Sequence, residues 1–476
     1  MFTLIGAIIL LFLGYVVYGK FVEKVFVVND ATPTPAYTKT DNLDYVPMPA
    51  WKGWVIQLLN IAGLGPIYGA IAGALYGPVA MVWIVLGCIF AGAVHDYFAG
   101  MLSVRHGGAQ FPALVQKYLG KAMRVFTDVV SVVLMILVAA AFTAGPAAVI
   151  SAKTGITFIV AIGIIFLYFL LAAILPINKI IGRIYPVFGA VLLITAAAVL
   201  IALLTSDIKV PELTFANMHP GELPIWPLLM VTISCGAISG FHSTQSPIIS
   251  RTLKKETEGR KVFYGAMIGE GVIALIWCAA GMSFYGGTGE LASVVSAVGA
   301  GGVVDQISVG LLGTIGGLLA ILSVIILPIT TGDTSLRSAR MIVLDFIGSR
   351  IKANQKTVAV IATVAVTIPA FYLSTIDYQF LWRYVGMTNQ MVATVMLWVA
   401  TSYLLKEGKL HWITGLPAVF MTGVVFCYLM VAPEGFGLEY NFAMIIGLSF
   451  TAAIALFYAY QIFRYSKLNV PALAKE

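Results

Sequence analysis

Thirteen hydrophobic stretches follow one another along the 476-residue chain, at about 2 to 19, 53 to 75, 78 to 102, 124 to 151, 156 to 176, 184 to 205, 224 to 248, 262 to 285, 309 to 331, 357 to 374, 379 to 405, 412 to 431 and 442 to 463. Each is long enough to cross about 30 Å of hydrocarbon, which takes roughly 20 apolar residues at the helical rise. Inside a bilayer every backbone N–H and C=O needs an internal partner, so such a chain folds as a bundle of spanning helices. The expected class is an all-α polytopic membrane protein with about 13 transmembrane helices. A composition 60% hydrophobic and only 10% charged agrees, because soluble domains carry about a quarter charged residues.

Charge sets the orientation. Grouped by alternate side, 25 of the 28 Lys and Arg fall on one face, among them Lys20, Lys24, Lys179, Arg183, Arg251, Lys255, Arg350, Lys352, Lys356, Lys467 and Lys475. Lys153 and Lys209 lie opposite, and Arg383 lies within a span near its outer end, where a long side chain can snorkel. The positive-inside rule makes the crowded side cytoplasmic, with the N-terminus outside and the C-terminus in the cytoplasm. The net charge of +7 reflects this topology and not a nucleic-acid surface. No Lys or Arg precedes the first stretch and no small-x-small site follows it, so it reads as a retained helix and not a leader. Cys88, Cys235, Cys278 and Cys427 lie inside spans without CxxC spacing, which indicates neither a disulfide framework nor a metal centre.

Two stretches are interrupted at mid-depth. The second contains Asn60, Gly63, Gly65 and Pro66; the seventh contains Ser239, Gly240, His242, Ser243, Gln245 and Pro247. Broken backbone at membrane depth is tolerated where it faces protein or a cavity. The two stretches are five spans apart, so they run in opposite directions, which points to an inverted repeat with a binding site at the breaks. This spacing resembles the LeuT-type five-plus-five transporters. The expected organisation is one transmembrane domain over 1–476: a first helix and cytoplasmic loop (1–52), a first repeat (53–205), a second repeat (224–405) and C-terminal helices (406–476). Residues 286 to 308 read as a short external helical hairpin around Gly299 to Gly302. Glycine and proline that only permit close packing are the competing explanation for the breaks.

Ionisable groups at membrane depth are costly, about 2.5 to 3.5 kcal/mol each on insertion scales, and so are functional candidates. His95 and Asp96 sit together in the third span; as sequence neighbours they point about 100° apart, toward different partners, or form a packing pair. Glu270 lies near the middle of the eighth span, where a low dielectric favours the neutral acid and makes it the first candidate for a proton carrier. His242 is the other titratable group at a break. Thr330, Thr331 and Asp333, at the inner end of the ninth span, offer oxygen ligands for a sodium ion; alternatively Asp333 and Thr334 cap a helix starting there, with Arg337 paired to Asp333. Asn389 and Gln390, deep in the eleventh span, are candidates to line the cavity.

Six blocks in order make the chain similar to the carbon starvation protein A (CstA) family: Gly65 to Ala70 with Tyr76-Gly77-Pro78, Gly92 to Asp96, Ser239 to Pro247, Val262 to Gly271, Gly332 to Arg340, and Leu381 to Tyr384 with Asn389-Gln390. The resemblance implies a bacterial inner-membrane importer used under carbon starvation, taking up peptides or pyruvate. The resulting expectation is a secondary active importer of peptides coupled to protons. A proton- or sodium-coupled symporter of pyruvate or another small carboxylate is the alternative, and an intramembrane enzyme or a sensor lies further off. No cofactor beyond the coupling ion, no metal, no nucleic acid and no obligate protein partner is expected; substrate and membrane lipids are.

Overall fold

The computed structural model of the chain describes residues 1–41, 44–174, 177–347 and 355–473. Arg350, Lys352 and Lys475 lie outside the described residues, as do the side chains of Lys179, Arg183, Lys356 and Lys467. In chain order the main helices are α1 (Phe2–Phe26), α2 (Ala50–Ile61), α3 (Gly65–Ala74), α4 (Val79–Arg105), α5 (Phe111–Leu119), α6 (Lys121–Thr154), α7 (Phe158–Ile174), α8 (Ile177–Thr205), α9 (Ile225–Thr232), α10 (Phe241–Ser250), α11 (Glu256–Phe284), α12 (Thr288–Ile347), α13 (Gln355–Leu373), α14 (Tyr378–Lys406), α15 (Trp412–Val431) and α16 (Tyr440–Leu473). No strand occurs among the described residues.

Among the described residues, eight helices are long and apolar enough to cross a membrane, or nine if α2 and α3 form one bent span. The fifth and tenth stretches form shorter apolar helices and the seventh is split into α9 and α10. The eleventh, α14, runs for 29 residues but carries Asn389 and Gln390 among its buried side chains, which lowers its hydropathy.

Glycine and proline decide where the apolar runs stop. The second span bends by 59° between Ile61 and Gly65, and Pro66, which has no N–H to offer, sits in the first turn of α3, where none is needed. The seventh span leaves helical geometry at Ile233 and resumes at Phe241. In α12, Gly299 and Gly313 adopt φ of 68°, a left-handed backbone that favours glycine, and divide the helix into three. The Gly299 break falls where the external hairpin is expected, and a Cβ on Gly301 would stand 2.7 Å from the Tyr68 hydroxyl of α3. The hairpin thus covers the first broken helix.

The proposed cap at Asp333 and Thr334 does not exist, because α12 continues unbroken through both residues to Ile347. Hydroxyls inside the helix return to earlier carbonyls instead: Thr330 donates to Leu327 O at 2.7 Å and Thr334 to Thr331 O at 3.1 Å. The expected i,i+4 pair remains, with Arg337 Nη2 4.0 Å from Asp333 Oδ2.

Candidate functional site

The two interrupted spans touch each other at their breaks. A Cβ on Gly65 would overlap Cys235, and one on Gly69 would lie 3.1 Å from the Thr232 carbonyl. Glycine there lets the start of α3 lie against Cys235 of the second break and the end of α9. At the first break Gly63 meets the Phe142 ring of α6. At the end of α2 beside it lies Asn60, buried, with neither amide atom hydrogen bonded among the described residues.

The second break is tied down by α14. Asn389 Oδ1 accepts from the Phe241 backbone N–H at 2.7 Å and from Ser239 Oγ at 3.1 Å. Gln390 Nε2 donates to the carbonyls of Met230 at 3.1 Å and Ile238 at 3.4 Å. These amides replace helix bonds that the break removes, each of which would cost about 1 to 3 kcal/mol if left unmet in the interior. Asn389 and Gln390 were singled out as cavity lining; the structure has them bonded to the break's backbone. Gly240 fits against the α14 backbone so closely that a Cβ would overlap Asn389 O and Ala393 N. Ser243 Oγ donates to Gly240 O at 2.7 Å, and Gln245 Nε2 donates to Ser338 Oγ of α12 at 3.2 Å.

Behind this break four titratable side chains stand end to end. His95 Nδ1 lies 2.8 Å from Asp96 Oδ1, Asp96 Oδ2 lies 2.9 Å from His242 Nδ1, and His242 Nε2 faces Glu270 Oε2 at 3.3 Å without hydrogen-bond alignment. All four are fully buried. His95 and Asp96 therefore do not point to separate partners as their spacing suggests: the imidazole folds back onto its neighbour, and the second carboxylate oxygen reaches α10. Close approach of three helices makes this possible. A Cβ on Gly92 would overlap the Ala237 carbonyl of the break, and one on Gly271 would stand 2.8 Å from Cys88 Sγ of α4. Asp96 is satisfied on both oxygens, as a carboxylate in a dry interior requires. His95 Nε2 and both Glu270 oxygens have no hydrogen-bond partner among the described residues. Among the described residues, no group of three or more His, Cys, Asp or Glu is arranged to hold a metal ion.

On the opposite side of the first break, Thr331 Oγ1 of α12 donates to Leu59 O of α2 at 3.3 Å and to its own Leu327 O at 3.1 Å. Asp333, two residues further on, is buried as well. Sequence reasoning named each of these residues but not the continuous line through His95, Asp96, His242 and Glu270, nor the splinting role of α14. The glycines at 92 and 271, which flank two members of that line, were the available signal.

Three family-model segments, residues 1–165, 147–288 and 283–427, match carbon starvation protein CstA. An uncharacterized membrane protein of Haemophilus influenzae is 46% identical over 341 residues, covering 60% of this chain and 92% of its own. The peptide transporter CstA of Bacillus subtilis is 25% identical over 508 residues, covering 84% and 85%. The pyruvate/proton symporter BtsT of Escherichia coli is 23% identical over 574 residues, covering 88% and 80%. In fold the chain is similar to a manganese transporter of Eremococcus coleocola, with a TM-score of 0.54 at 11% identity over 90% of this chain and 99% of the other.

Proposed function

The chain belongs to the carbon starvation protein CstA family, and from that premise we propose that it imports peptides into the bacterial cytoplasm, driven by protons and used under carbon starvation. Family and relatives are transporters, and the chain is a membrane transporter, not an enzyme. On this reading it spans the inner membrane 13 times with its N-terminus outside, in a LeuT-like five-plus-five arrangement. Two broken helices of opposite direction supply the alternating-access site.

The observation that carries proton coupling is the buried line from His95 through Asp96 and His242 to Glu270. A proton entering at Glu270 can pass to His242 across 3.3 Å, then along Asp96 to His95, each step being a small reorientation between groups already close. His242 lies in the first turn of α10, just beyond the second break, so its charge acts next to the backbone that must rearrange. Substrate contacts are assigned to Asn60, Gly63, Gly65 and Pro66 on one side and to Ser239, Gly240, Ser243 and Gln245 on the other.

Proteoliposomes with imposed gradients test this. Glu270→Gln, which keeps the shape of the neutral acid, is expected to retain substrate binding and exchange while losing proton-driven accumulation. Accumulation that survives in this variant removes Glu270 as the proton carrier. A second reading, sodium coupling, is favoured by the Thr331 hydroxyl against the Leu59 carbonyl at the end of α2, beside the unpartnered Asn60 amide. Accumulation that follows a sodium gradient and is lost in Thr331→Val would select it. The relatives named for peptides and for pyruvate leave a small carboxylate as the alternative substrate.

A further inference from the structure

Above the two breaks lies a cavity of about 730 Å³, bounded by α3, α9, the Gly299 break of α12, the start of α14 and Tyr428 of α15. That volume falls within the range of small-ligand sites, about 300 to 1,000 Å³. Three features of its wall are chemically specific. Arg383 is the only Lys or Arg lining it, and among the described residues no carboxylate stands within 4.0 Å of that guanidinium. Asp377, which also lines the cavity, is engaged as the N-cap of α14, accepting from the Phe380 N–H at 3.0 Å. The hydroxyls of Tyr68 and Tyr378 are buried there with no hydrogen-bond partner among the described residues.

The aromatic rings hold these groups in place. Tyr68 meets Tyr378 edge to face at 5.7 Å, Tyr378 stacks on Trp382 at 5.6 Å, and Trp382 stacks on Phe142 at 6.2 Å. Phe142 is the residue that packs on Gly63, so this stack joins the cavity wall to the first break. A buried hydroxyl without a partner is a standing cost that a polar ligand removes. An unpaired guanidinium beside it presents a planar fork that matches a carboxylate.

We propose that this cavity is the outer recognition site for the substrate's carboxylate, with Arg383 as the residue that selects it and Tyr68 and Tyr378 bonding the polar atoms beside it. The inference rests on the transport reading above, including its orientation, which makes this mouth extracellular. It turns Arg383 from a snorkelling residue into a specificity determinant. The chemistry is shared by the C-terminus of a short peptide and by a small oxo acid.

Uptake into proteoliposomes, competed by alanylalanine, by its C-terminal amide and by pyruvate, tests the proposal. In the unaltered protein a free acid is expected to compete at least about tenfold better than the amide, the scale of a lost charged hydrogen bond; whether alanylalanine or pyruvate competes identifies the source of the carboxylate. Arg383→Gln, at an exposed position where folding should survive, is expected to bring acid and amide to the same weak level, raising KM while keeping the maximal rate. Arg383→Lys should recover part of the preference. A Gln variant that still prefers the acid, or an unaltered protein that takes acid and amide alike, overturns the inference and leaves transport intact. Absence of any uptake by the unaltered protein overturns the transport reading and the inference together.

Discussion

The two breaks differ in how their backbones are satisfied. The break of the second span covers only residues 62 to 64, meets the Phe142 ring and the Cys235 side chain at its edges, and leaves the Asn60 amide without hydrogen-bond partners among the described residues. The break of the seventh runs from 233 to 240 and is bonded at both ends by Asn389 and Gln390, with His242 just beyond it joined to Asp96. The first break receives no side-chain amide bond from Asn60, whereas the second has its backbone held by amides from α14. The physical lesson is a division of labour: unmet polar groups are where a ligand or ion gains most by binding, whereas an unwound segment whose backbone is bonded by side chains is a held element that a change of charge can switch.

The largest effect should come from closing the contact between them. Gly240→Ala sets a side chain against the α14 backbone, which cannot yield, so uptake is expected to vanish and the melting temperature in detergent to fall. Gly65→Ala meets only the Cys235 side chain, and the double variant Gly65→Ala with Cys235→Gly should restore much of the uptake that Gly65→Ala loses. A double variant no better than the single one would show that the two breaks do not touch in the working protein.

The next test compares two asparagines. Asn389→Ala removes the two hydrogen bonds to Oδ1 and the weaker Nδ2 contact to Cys235 Sγ from the second break and should lower stability by about 1 to 3 kcal/mol, read as a shift in thermal unfolding. Asn60→Ala removes no hydrogen bond made within the protein, so stability should change little while substrate or ion affinity falls. Equal destabilisation by both would abolish the distinction between a bonded and an open break.

Labelling tests, with the least disturbance, the orientation on which the second break's direction rests. In a background lacking native cysteines, a cysteine at exposed Glu290 should react with an impermeant reagent from outside and one at exposed Lys255 should not. Glu256 is unsuitable as the inner probe, because it is buried against Arg105, whose Nη2 lies 3.0 Å away. The reverse pattern would invert the topology and place the Arg383 cavity on the cytoplasmic side.

Much of the fold was legible in the chain because hydrophobic length and interruption by Gly and Pro are local properties. The positions of both breaks and of the Gly299 hairpin could be read from residue type alone. The end of the ninth span could not. Thr330, Asp333 and Thr334 favour caps in isolation, yet here they continue α12, because threonine hydroxyls satisfied one turn back leave the helix no reason to stop. Among the candidate site residues, His95, Asp96, His242 and Glu270 were identifiable singly, since each is expensive at membrane depth. Their joining was not, and neither were the unpartnered Tyr68 and Tyr378 hydroxyls, which are conspicuous only once burial is known.

By itself the sequence determined the class of molecule, an all-helical membrane bundle, and the places where its helices must open, since these follow from apolar length and backbone freedom; the family came from the resemblance of six motif blocks. Tertiary structure alone decided which groups meet. Gly92, Gly271 and Gly65 are compatible with many packings, and only the close approach of α4, α10 and α11 turns three distant segments into one line of titratable groups. The physical reason is range: helix formation is settled within a few residues, whereas a contact between Asp96 and His242 depends on groups 146 positions apart in the chain returning to the same few ångströms.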